Sequence, residues 1–123
     1  MPSLIGWKAC KGWVKMQVYG QPRDLQLDGE EWGPFFIHLN TDTDGKEWTL
    51  SLTSCGWAVI KGLSKDVLKK MAVDLNGTGS WLMSPRYEEC RAKAPAWVKG
   101  WIRECLQAKG YVKPKKPSVL FEE

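Results

Sequence analysis

Apolar and polar residues alternate from Lys11 to Tyr19, with Val14, Met16 and Val18 on one side and Trp13, Lys15, Gln17 and Tyr19 on the other. A period of two marks a half-buried strand. The polar stretch after it is rich in turn formers (Gly20, Pro22, Asp24, Asp28, Gly29, Gly33, Pro34) and reads as a connection, in which Leu25 and Leu27 predict a short edge strand. Phe35 to Leu39 predicts a second strand, with Phe35, Ile37 and Leu39 inward and His38 on the polar side. Thr41-Asp42-Thr43-Asp44-Gly45 supplies hairpin chemistry, because Asp-Gly readily takes the positive φ angles of tight connections. Trp48, Leu50 and Leu52 then alternate with Thr49, Ser51 and Thr53, which places the threonines on the solvent side of a third strand. Cys55-Gly56 turns the chain into a fourth, Trp57 to Ile60, that ends at Gly62.

At Ser64 the period changes to that of a helix. Ser64 is a natural N-cap, Asp66 suits the positive end of the helix dipole, and Leu63 can staple onto Leu68. Val67, Leu68, Met71, Ala72 and Leu75 form one stripe, while Lys65, Lys69, Lys70 and Asp74 fall elsewhere. Asn76-Gly77 stops the helix. A Gly/Ser loop holding Trp81 leads to Ser84-Pro85, read as a cap followed by proline in the first helical position. Pro95 divides the C-terminal helical stretch into a short helix from Arg86 and a longer one from Pro95 to Lys109, with Val98, Trp101, Ile102, Cys105 and Leu106 as its stripe.

These elements predict an α+β fold: an antiparallel meander of three or four strands, the Ser64–Leu75 helix on one face, and a kinked C-terminal helical pair against the other face or an edge. Residues 1–112 are read as a single domain and 113–123 as an extended Lys/Pro tail. Eight tryptophans in 123 residues require a packed interior rather than disorder, and the length suffices for a core without staples. The chain shows neither the apolar run of a secretory signal nor that of a membrane span, so a soluble, cytoplasmic protein is expected, with no membrane partner.

Four widely spaced cysteines (Cys10, Cys55, Cys90, Cys105) read as reduced core thiols, and the absence of a close cysteine pair argues against zinc. Asn40-x-Asp42-x-Asp44-Gly45 opens like a calcium loop, but its twelfth position is Ser51 rather than a bidentate glutamate, so a hairpin turn is expected. Gly77-Thr78-Gly79-Ser80 lacks both the preceding parallel strand and the Lys-Ser/Thr ending of a phosphate loop. The single histidine has no assignable nucleophile, and Glu30-Glu31 and Glu88-Glu89 are sequence neighbours that point in different directions. The chain is therefore read as non-enzymatic, with no cofactor and no metal.

Charge is uneven. Residues 1–63 carry six Lys/Arg against seven Asp/Glu, whereas residues 64–113 carry ten against five, within a net charge of +4. A basic helical half suits an anionic partner or is a solvated face.

The segment Trp48 to Leu75, W-T-L-S-L-T-S-C-G-W-A-V-I-K followed by the capped S-K-D-V-L-K-K-M-A helix, resembles the hairpin–helix unit of small accessory proteins of tailed bacteriophages. The resemblance implies a compact binder that inhibits or modifies host machinery or defence, acting in the host cytoplasm. It assigns no functional residue.

The residues support two binding readings. In the first, the chain occupies a surface of a protein target, with Trp13, Lys15, Tyr19, Trp97 and Trp101 as candidate contacts, since aromatic residues anchor interfaces. Trp13 and Tyr19 are either exposed or covered by the C-terminal helices, and Trp97 and Trp101, four apart on α-helical spacing, either cap the core or dock a partner. In the second, the partner is nucleic acid, its phosphates met by Lys65, Lys69, Lys70, Arg86, Arg91, Lys93 and Lys99, with exposed aromatics stacking bases. The oligomeric state is not specified by these residues.

Overall fold

Five strands join in sequence order into one antiparallel meander, β1-β2-β3-β4-β5, in a computed structural model that describes residues 6–39 and 47–114 and, within them, leaves aside the side chains of residues 16–18. The elements are β1 (Lys8–Val18), β2 (Gln21–Trp32), β3 (Phe35–Leu39), β4 (Trp48–Leu52), β5 (Ala58–Leu63), α1 (Lys65–Leu75), a 3₁₀ turn (Ser80–Met83), α2 (Tyr87–Lys93) and α3 (Ala96–Ala108). The α+β class stands. The hairpin chemistry and calcium-like spacing of residues 40–45, the facing of Met16 and Val18, and the tail beyond Pro114 lie outside the described residues.

The largest departure from expectation is β2. The stretch read as a polar connection is a twelve-residue strand paired with β1 along its whole length, from Lys8 opposite Glu31 to Val18 opposite Gln21. Turn-forming residues misled because the outer part of this ribbon, Gln21 to Gln26, is solvated on both faces and carries no apolar alternation to read. The ribbon reverses at Tyr19-Gly20, both with positive φ (52° and 79°), the backbone signature of a two-residue hairpin turn whose twist matches its strands. A tyrosine in the left-handed region is not a sequence signal for such a turn.

The helical face of the sheet obeys the pattern. Phe35 pairs with Leu52, Ile37 with Leu50, and Leu50 with Ile60, so their side chains share one face. Leu68, Met71, Ala72 and Leu75 of α1 pack onto them, and Trp81, Cys90, Val98, Trp101 and Cys105 extend the same cluster. Ser64 caps α1 as expected, its hydroxyl accepting the Val67 amide at 3.3 Å. Ser84 does not cap α2: the cap position is Arg86 and the helix begins at Tyr87, while Ser84 is buried, with its carbonyl facing the Cys90 thiol at 3.4 Å.

The second face corrects another expectation. His38, Thr49 and Ser51 do lie opposite the Phe35–Ile37–Leu50 side, yet they are buried rather than solvated. The C-terminal helices do not cover them, because those helices join the α1 side. The sheet itself does: Lys15 of β1 donates its amide to Gly56 O at 2.8 Å, bringing one edge of the sheet to the β4–β5 turn and curling the second face inward. Val14, Phe36 and His38 fill this inner curve, where the two rings lie 5.8 Å apart. A Cβ on Gly12 or Gly29 would fall 2.6 Å and 2.7 Å from the Phe36 ring, so both glycines make room for it.

Candidate functional site

On the outside of the curl, Trp13 keeps 63% of its surface exposed and Tyr19, at the ribbon tip, is fully exposed. The alternation of β1 explains Trp13: Val14 must point into the curl, so its neighbour points out. Lys15 shares the outer side, opposite Asp24, and the two form an ion pair at 2.8 Å. An exposed pair of this kind is worth at most about 1 kcal/mol and leaves both groups open to exchange for a partner's charges. Beside Trp13 a cleft of about 230 Å³ separates the ribbon from the β4–β5 turn, with Asp24, Thr53 and Ser54 on its walls. From Lys11 to Asp28 the ribbon carries Lys11, Lys15 and Arg23 against Asp24 and Asp28, which is close to neutral.

The remaining candidates lie elsewhere. Trp101 is buried in the main core and its indole N–H donates to Val112 O, so it is a packing residue and not a contact surface. Trp97 is half-buried against it, ring centroids 6.2 Å apart. The inward bias of apolar pairs four apart on a helix accounts for both.

Two of the seven candidate phosphate contacts are already engaged. Lys65 and Lys69 both pair with Glu30 of β2, Lys69 at 2.7 Å, and their ammonium groups also lie over Trp48 and Trp7, 4.9 Å and 5.4 Å from the ring centroids. Burial alone would raise the Glu30 carboxyl, but the hydrogen bonds and charges of the two lysines outweigh it and hold the group below its ordinary value. Lys70 is exposed and lies 5.9 Å over Tyr111. Arg86, Arg91, Lys93 and Lys99 are exposed on α2, α3 and the residue before α2.

Sequence reasoning missed one pair altogether. Cys55, in the β4–β5 turn, and Cys90, in α2, are buried free thiols with sulfurs 3.9 Å apart. They are 35 residues apart in sequence, so no spacing rule could have found them. Burial and the neighbouring Cys55 push the Cys90 thiol up to about 11, which keeps it protonated and unreactive at neutral pH. The one histidine is also buried, which lowers its pKa, with Lys61 acting in the same direction and the Leu39 carbonyl against it; its Nδ1 faces Leu39 O at 3.2 Å. No group of three or more metal-ligating side chains forms among the described residues, and no helix there is long and apolar enough to cross a membrane. No family model, curated protein or solved structure matches the chain.

Proposed function

We propose that this protein is a small non-enzymatic binding module that occupies a surface of a protein target through the outer side of its β1–β2 ribbon. The observation that carries the reading is the exposure of Trp13 and Tyr19 on a nearly neutral arm whose two strands pair along their length. Aromatic side chains bring large contact area at little cost in rotamer freedom, and a solvated tryptophan has the most to gain from a partner. Lys15 and Asp24 beside them add charges of both signs, which suits a mixed protein surface better than a phosphate backbone. The hairpin–helix resemblance of residues 48–75 directs the search for that target to bacterial host machinery or defence systems.

The nucleic-acid reading loses two of its contacts to Glu30 and retains Lys70, Arg86, Arg91, Lys93 and Lys99. A pull-down from nuclease-treated bacterial lysate, run with the natural chain and with the Trp13→Ala/Tyr19→Ser double variant, separates the two. Recovery of one stoichiometric protein that the double variant fails to retain supports the ribbon reading. Partners that vanish on nuclease treatment, or that bind both chains equally, overturn it.

A further inference from the structure

A second cavity, of about 270 Å³, opens between β5, α2 and α3, well apart in sequence from the ribbon. Its floor and walls are apolar: Leu52 and Trp81 below, Val59 on the strand, Val98 and Ile102 on α3. Two cations, Arg91 and Lys99, stand among its lining residues and both are exposed, while no carboxylate among the described residues lines it; Glu88 and Glu89 of α2 are not part of the wall. Such a site rejects a wholly apolar occupant less than it rewards one that brings a negative charge to the rim.

The strand beside it adds a second requirement. Trp57, Ala58 and Val59 are consecutive, their side chains alternate between faces, and all three line the cavity, so the opening runs along the edge of the strand. β5 is the last strand of the sheet order, and among the described residues no strand pairs with its outer side. An edge strand flanked by a helix and an apolar pocket is the arrangement by which extended peptides are held: main-chain hydrogen bonds give affinity and alternate side chains enter pockets.

We propose that the cleft between β5 and α3 is a docking site for an extended peptide that presents one large apolar side chain to the cavity and a carboxylate, one or two residues away, to Arg91 and Lys99. The site does not depend on the ribbon reading, and the two stand or fall separately.

Panning a random heptapeptide phage library on the full-length protein tests it. The expected result is enrichment of sequences that place an aromatic or branched apolar residue within two positions of Asp or Glu. A fluorescein-labelled copy of the leading peptide should then lose about tenfold or more in affinity with the Arg91→Glu/Lys99→Glu variant, by reversal of both rim charges, and should bind the Arg103→Glu variant of the same helix as it binds the natural chain. Both substituted rim residues are exposed, and circular dichroism confirms that the variants fold. No enrichment, enrichment without the acidic residue, or a peptide indifferent to the rim charges overturns the proposal.

Discussion

The sulfurs of Cys55 and Cys90 meet 3.9 Å apart across the seam between the β4–β5 turn and α2. The contact lies within the apolar core that joins the helices to the sheet, and its thiol gives stability an alkaline limit. Cys90 has its pKa raised from 9.0 to about 11 in the folded chain, first by burial and then by Cys55. Above pH 9 the unfolded chain releases this proton while the folded chain retains it, so the contribution is complete below pH 9 and is lost as pH rises towards 11. Urea denaturation from pH 8 to 11 should show this fall in the natural chain and a shallower one in Cys90→Ala. Tyr111, pushed to about 12 by burial and by its hydrogen bond to Asp74, adds a similar slope to both, so the difference between the chains is the measure.

Gly12→Ala and Gly29→Ala should each destabilise by about 1–3 kcal/mol, the usual cost of overpacking. They should differ in rescue. The three atoms nearest a Cβ at position 12 all belong to the Phe36 ring, and Phe36→Leu should recover part of the loss in thermal denaturation. At position 29 it also comes within 2.2 Å of Ile37 O, a backbone atom that no side-chain change removes, so the same second substitution should recover little.

Glu30→Gln should remove an acid-dependent part of the stability. The two lysines depress the Glu30 pKa below 4.5, so its contribution is present above that pH and disappears as pH falls through the folded value. At pH 7 the variant should lose about 1–2 kcal/mol, as for hydrogen bonds to a charged group. Between pH 5 and 3 its stability should decline less steeply than that of the natural chain.

Trp101→Ala and Trp13→Ala separate packing from contact. Removing the buried indole should cost about 3–5 kcal/mol, with Val112 O also losing its donor. Removing the exposed one should change the free energy of unfolding, measured by urea denaturation, by no more than about 0.5 kcal/mol.

Legibility in the sequence tracked amphipathicity. Where one side of an element meets the core and the other meets water, as in α1 with Leu68, Met71 and Leu75, the period names both the element and its buried face. β2 escaped because its outer half has no buried side. The burial of Thr49 and Ser51 escaped for the opposite reason: small polar residues read as solvent-facing until the curl of the sheet, made by residues far apart in sequence, closes over them. Among the candidate contacts, alternation places Trp13 on the side opposite Val14, but whether that side is open or covered by the C-terminal helices depends on where those helices pack, which leaves no trace in β1. The juxtaposition of Glu30 with Lys65 and Lys69, like that of the two thiols, depends on tertiary folding and leaves no local trace.

The hydrogen bond from the Lys15 amide to Gly56 O ties the exposed arm to the fold that encloses the rings of Phe36 and His38. Bending the arm would wet those rings, so the contact proposed there would be made between preformed shapes. Such a surface would lose little freedom on meeting a partner, and the strength of any contact there would be limited by how well the partner already fits.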